Sequence, residues 1–310
     1  MQSYDTIRLH FLRKMLLFTA DRCEDQLGMS AFIWCSNSKP GRRKTMKKKL
    51  LAMGLAALMC MSLTACGGSG AGSSDGDMAK IKEKGTLVVG ITDFEPMDYK
   101  DENGEWIGFD ADMAKAFAEK LGVKAEFTEI DWDNKALELD SGTIDCVWNG
   151  MTLTDEVKSA MDCSNPYCNN AQVAIVPGDK ADQYRTVDNL KGLKFAVEAG
   201  SAGEEQAKAN GLEYTAVQNQ ASALMEVEAG TADAAIIDSL MAAAMVGAGT
   251  SYEDLTYTVG LNDEEYGVGF RKGSDLKDEL NKFFKESYAD GSMIDTADKY
   301  NVQAALIAQQ

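Results

Sequence analysis

Histidine is nearly absent from the chain. The one imidazole among 310 residues is His10, so everything after it is without one. That excludes a His-based catalytic triad and imidazole metal ligation over the whole remaining length. The seven cysteines form no CxxC pair and no other metal-ligand spacing, so no metal and no cofactor are expected. Basic charge is scarce as well. Residues 1–65 carry 11 of the 31 Lys and Arg but only 4 of the 49 Asp and Glu, which leaves residues 66–310 with 20 basic against 45 acidic side chains, a net charge of about −25. A body that acidic avoids nucleic acid and anionic surfaces, and no nucleic-acid partner is expected. The apolar run Leu50–Leu63 (LLAMGLAALMCMSL) is too short to span a bilayer comfortably.

That run makes sense as part of an export signal. Met46 is followed by the basic Lys47-Lys48-Lys49, then by the apolar run, then by Leu63-Thr64-Ala65-Cys66. The last four residues match the bacterial lipobox, in which the cysteine becomes a lipidated N-terminus. Residues 46–65 are therefore expected to be a lipoprotein signal peptide and Cys66 the lipidation site. Residues 66–78 follow as a flexible tether, beginning Gly67-Gly68-Ser69-Gly70. Residues 1–45 fit poorly in front of such a signal and read as an upstream mis-start or leader, with translation beginning at Met46. Of the cysteines beyond Cys66, Cys146 reads as a buried thiol, while Cys163 and Cys168 are close enough in sequence for a labile loop bridge.

The length allows one large or two modest domains. From Ala79 onward, a short helix stopped by Gly85 precedes the β-rich run Thr86–Ile91. A proline-bearing loop with Phe94 and Glu95 comes next. A helix over Ala111–Leu121, a strand over Lys124–Ile130 and a helix over Asn134–Leu139 then lead to the buried strand Ile144–Trp148. Asn149–Thr154 reads as a loop, with Gly150 able to let a ligand approach backbone N–H groups and Thr154 placed to cap a helix. Past Tyr167 the grammar repeats: strands at Gln172–Val176, within Leu190–Val197, at Ala234–Ile237 and at Leu255–Leu261, with a small-residue loop at Glu198–Gly203 and Asp238 at a strand end. Leu276, Leu280, Phe283 and Phe284 mark an amphipathic helix over Leu276–Tyr288. The fold class expected is α/β, two doubly wound lobes with a cleft between them where a ligand binds.

These residues carry a resemblance. The lipobox, Gly108-Phe109-Asp110-Ala111-Asp112, Gly150-Met151-Thr152-Leu153-Thr154-Asp155-Glu156, Ser164-Asn165-Pro166-Tyr167 and Tyr266-Gly267-Val268-Gly269-Phe270 stand in the order found in substrate-binding lipoproteins of polar amino acid ABC importers. The resemblance spans roughly Ile81 to Tyr300 and implies the type II periplasmic-binding-protein fold. Lobe one would be residues 79–167 plus 267–310 and lobe two residues 172–261, joined by hinge crossings near 168–171 and 262–266. It further implies a monomer tethered to the membrane through Cys66, on the outer face of the cytoplasmic membrane or in a periplasm, which hands its solute to an importer permease.

Position by position, the resemblance makes Phe94 and Trp132 an aromatic pair around the ligand side chain. Gly150 and Thr152 become donors to an α-carboxylate, helped by Ser201 and Ala202, and Asp238 becomes the acceptor for an α-ammonium. On the residues alone, Trp132 reads as plain core and Phe94 as a loop plug, and Asp238 suits capping of the helix that follows it. The family usually has an arginine after Thr-x-Glu to clamp the carboxylate, and this chain has Val157. Glu95 and Glu198, with Asp93, would line the cleft with acid and suit a cationic or amine-bearing ligand, or else are solvated surface charges. The alternatives to an amino acid receptor are a binder of a cationic solute without a carboxylate and a dehydratase-like enzyme on the same fold.

Overall fold

Short apolar strands alternate with glycine-stopped helices, and the strands sort into two sheets. The computed structural model describes residues 76–310, all of them within the compact unit Gly67–Gln310. The leader 1–45, the signal segment 46–65, Cys66 and the tether up to residue 75 lie outside the described residues. In chain order come α1 (Asp77–Lys84), β1 (Thr86–Ile91), β2 (Tyr99–Lys100), β3 (Trp106–Ile107), α2 (Phe109–Leu121), β4 (Lys124–Glu129), α3 (Lys135–Ser141), β5 (Cys146–Thr152), α4 (Asp155–Ala160), β6 (Asp162–Cys163) and β7 (Cys168–Asn170). There follow β8 (Gln172–Pro177), β9 (Lys194–Glu198), α5 (Ala202–Ala209), β10 (Glu213–Val217), α6 (Gln220–Glu228), β11 (Ala234–Asp238), α7 (Ser239–Met245) and β12 (Leu255–Gly260). The chain finishes with β13 (Glu264–Phe270), α8 (Leu276–Asp290) and α9 (Ser292–Lys299).

The two sheets are built alike. One runs β4-β1-β5-β13-β6, with β7 also on β13; the other runs β10-β9-β11-β8-β12. Each holds a parallel trio, β4-β1-β5 or β10-β9-β11, closed on one side by an antiparallel strand, β13 or β8. Sequence explains the placement. Every residue of β11 and all but the last of β5 are buried, as strands covered on both faces must be. The outer strands are more exposed: β4 carries the exposed charges Lys124, Glu126 and Glu129, and β10 exposes Glu213, Thr215 and Ala216. On the outer side of the first sheet, Leu276, Leu280, Phe283 and Phe284 of α8 are buried. Phe284 meets Trp148 and Tyr167 with ring centroids 5.6 and 5.5 Å apart.

The two chain passages between the sheets run side by side as an antiparallel pair, with Asn170 opposite Glu264, Asn169 opposite Glu265 and Cys168 opposite Tyr266. Two expectations change here. Asn149–Thr152 is not a loop: β5 continues to Thr152 because β13 pairs with it, Tyr266 opposite Thr152 and Gly267 opposite Met151. The register slips between Gly267 and Gly269, and Gly150 takes φ 53° within that irregular stretch. Cys163 and Cys168 are free thiols, as is Cys146. They face Gly269 and Tyr266 respectively, and three residues along β13 are roughly 10 Å, beyond the ~7 Å that a disulfide tolerates between Cα atoms. The strand β10 and the helix α9 had no counterpart in the sequence reading.

Candidate functional site

Both parallel trios point their C-terminal ends at one cavity, the position that open α/β sheets reserve for ligands. It holds about 690 Å³ of empty space when the solvent-open mouth is counted, and about 80 Å³ of enclosed room. From the first lobe, Trp132, Gly150, Thr152 and Val157 line it; from the second come Glu198, Ser201, Ala202 and Asp238.

Trp132 is 7 % exposed and sits in the 3-10 turn Trp132–Asn134. Lys135, the first residue of α3, holds its Nζ 5.0 Å above the indole and donates to the carbonyls of Trp132 (3.2 Å) and Gly200 (2.8 Å). The second of these bonds crosses from one lobe to the other. Burial lowers the Lys135 pKa, with Glu198 and other carboxylates pulling it back. The lobes meet closely at this rim, where a Cβ on Gly200 would lie 2.7 Å from Asp133 Cα.

Two residues expected in the site stand elsewhere. Phe94 is buried but does not line the cavity: its ring lies under β5, where a Cβ on Gly150 would come within 2.6 Å of it, and it meets Tyr266 edge to face at 6.3 Å. It therefore does not pair with Trp132 around a ligand. Glu95 lines a separate surface cavity with Tyr99 and Tyr300. The donors expected at Gly150 and Thr152 are already engaged. Gly150 N–H donates to Asp110 Oδ2 at 2.6 Å and Thr152 Oγ1 donates to Glu264 Oε1 at 2.9 Å. Ser201 caps α5 by accepting from Glu204 N–H at 3.1 Å, which leaves its hydroxyl proton free to point elsewhere.

Asp238 ends β11 and is 4 % exposed. Its side chain does not cap α7. Instead Oδ1 accepts from Tyr266 OH (2.6 Å), Gln172 Nε2 (3.1 Å) and Asn170 Nδ2, and Oδ2 accepts from Gln220 Nε2. Asn170 and Gln172 also donate to Glu264 Oε1, at 2.6 and 2.8 Å. The carboxyls of Asp238 and Glu264 thus share two donors, Asn170 and Gln172, while Tyr266 from the opposite passage donates to Asp238 alone. Burial, then the Glu264 charge, raises the Asp238 pKa, and its hydrogen bonds oppose that rise.

Glu198, at the end of β9, is 2 % exposed, and its Oε1 is buried with no hydrogen-bond partner. Burial first and Asp238 second push its pKa up to about 8. Sequence reasoning missed further charged and amide lining residues, Asp133, Lys135, Glu156, Glu205 and Gln220 among them. Only Lys135 had a local signal, a cation three residues beyond a tryptophan at a helix start.

Over residues 87–303 the chain matches the family model described as bacterial extracellular solute-binding proteins, family 3. It is 35% identical over 257 residues to the arginine-binding extracellular protein ArtP of Bacillus subtilis, covering 80% of this chain and 95% of that protein. It superposes on the crystal structure of the P235GK mutant of ArgBP from T. maritima with TM-score 0.67 and 31% identity, covering 73% of this chain and 99% of the other. It also superposes on the ancestral amino acid-binding protein AncCDT-1, a precursor of cyclohexadienyl dehydratase, with TM-score 0.66 and 35% identity over 72% of this chain and 98% of the other. The family model spans well over half of the chain, and the fold agrees: this protein belongs to the bacterial extracellular solute-binding proteins, family 3.

Proposed function

We propose that the chain captures a polar amino acid, or a related amine-bearing small solute, in the cleft between its lobes and delivers it to the permease of an ABC importer. The observation that carries this reading is the Asp238 carboxyl, buried at the cavity wall and held by donors from both hinge passages. An ammonium group placed there has an aligned acceptor, and a buried charge is tolerated only with such a partner. Because Asn170, Glu264 and Tyr266 belong to the passages between lobes, a ligand that pulls on Asp238 favours the closed arrangement over an open one, by population shift about a hinge. On this reading lobe one is residues 79–167 plus 267–310, lobe two is residues 172–261, and the protein acts as a monomer tethered through lipid on Cys66.

Trp132, Ser201 and Ala202 are the further ligand contacts in this reading, with Thr152 contributing if its hydroxyl turns from Glu264. We read the chain as a receptor rather than an enzyme, since no imidazole follows His10 and the matched relatives are named for binding. Calorimetry of the purified chain against the standard amino acids and simple amines tests this. One solute should bind in the micromolar range and be recovered unchanged by mass spectrometry; no binding by any of them, or turnover of the bound solute, overturns it.

A further inference from the structure

The cavity is lined by five carboxylic side chains, Asp133, Glu156, Glu198, Glu205 and Asp238, and by one cation, Lys135. That lysine is spoken for by two carbonyls and an indole face. Acid comes from both lobes: Asp133 and Glu156 from the first, Glu198, Glu205 and Asp238 from the second. Closing the cleft brings like charge together, as the Glu156 contribution to the raised Glu205 pKa, second after burial, reflects. Among the described residues no guanidinium lines the cavity, and Val157 meets it with an apolar side chain in one buried cluster with Trp132, Met151 and Met161. The most buried of the five is Glu198, whose Oε1 has no hydrogen-bond partner among the described residues. A buried acceptor left unpaired is costly unless a ligand completes it.

We propose, building on the receptor reading above, that the solute is a small organic cation without a carboxylate, whose ammonium or guanidinium group is received by Glu198 together with Asp238. A carboxylate would meet only carboxyl groups and a committed lysine, with no free donor cation among the described residues; a cation relieves the repulsion across the cleft and pairs the orphaned oxygen. The groups facing Glu198 are Asp238 on β11, Lys135 on α3, Gln220 on α6 and Thr92 beyond β1. The raised pKa of Glu198 fits a site that holds a proton when empty and exchanges it for the cation when filled. Binding of an amine should then strengthen as pH rises from 6 to 8, by up to about ten-fold per pH unit for each proton released.

Calorimetry with pairs of probes that differ only in the carboxylate separates the outcomes: agmatine against arginine, and putrescine against ornithine, at pH 6, 7 and 8. The expected result is at least ten-fold tighter binding of one amine than of its amino acid. Glu198→Gln, checked for an unchanged circular dichroism spectrum, should weaken that amine at least ten-fold at pH 8 and flatten its pH dependence. Equal or tighter binding of the amino acid overturns this inference and leaves the receptor reading standing, as does tight binding of any other standard amino acid. Binding of no amine and no amino acid overturns both. An unchanged pH slope in Glu198→Gln removes Glu198 from the role.

Discussion

Val157→Arg tests how the cleft treats a carboxylate. Val157 lies in the first turn of α4, its N–H bonded to Thr154 Oγ1 at 3.2 Å, its side chain 6 % exposed and part of one buried apolar cluster with Trp132, Met151 and Met161 at the cavity edge. Removing the buried isopropyl group costs about 1.5–2 kcal/mol. The arginine stem covers part of the same surface while its head reaches the open cavity, so a net loss of about 1 kcal/mol, or roughly 2–4 °C in Tm, is expected. The guanidinium arrives beside Glu156 and within the cavity that Glu198 and Glu205 share. For a ligand with a carboxylate, one buried forked pair contributes ~2–5 kcal/mol, roughly thirty-fold to several-thousand-fold in Kd. For a cation, a new positive charge roughly 6 Å away at an effective dielectric near 20 costs ~3 kcal/mol, about a hundred-fold. Titration calorimetry of the native and variant proteins with arginine and agmatine reads both numbers, with melting curves to confirm the fold. Changes below about two-fold for both ligands in a folded variant would show that position 157 does not face the ligand, and the reasoning about the missing clamp would fall.

Three further outcomes follow from the geometry. Glu198 and Asp238 have raised pKa values in the fold, so the folded protein keeps protons that the unfolded chain gives up. Their contribution to stability is full below the ordinary carboxylate range and disappears as pH rises through about 8, at up to ~1.4 kcal/mol per pH unit per group. The Tm of the ligand-free protein should therefore fall between pH 5 and 8.5, and Glu198→Gln should fall less steeply; parallel slopes would refute the assignment. Gly108 has φ 124°, and a Cβ there would lie 2.2 Å from the carbonyl oxygen of Met97. Gly108→Ala should cost ~3 kcal/mol or more, with Tm down by roughly 6–12 °C in thermal melts. Lys135→Met removes the cross-lobe bond to Gly200; scattering should show a more open ligand-free protein and calorimetry roughly ten-fold weaker binding, whereas an unchanged radius and Kd would show that this bond does not hold the cleft.

What was legible in the sequence is what short windows carry. The runs of β1, β5 and β11 announce themselves because strands covered on both faces are apolar throughout, and the rule that ligands meet strand C-termini then places Trp132, Gly150, Ser201 and Asp238 at one edge. Depth and direction at that edge are not local. Phe94 and Trp132 both follow parallel strands, yet Phe94 slips beneath β5, where Gly150 has no Cβ to stop it, while Trp132 stays on the cavity wall. Asn149-Gly150 looks like a turn until β13 arrives, more than a hundred residues later, and pairs with the residues beyond it. The ambiguity at Asp238, between a helix cap and an acceptor, is of the same kind. Its donors lie 68, 66, 28 and 18 residues away, so no window short enough to show the helix start contains them. Strand patterning can name the edge where a ligand sits; the charge balance that decides which ligand is assembled only when distant residues such as Lys135, Glu198 and Glu264 close around that edge.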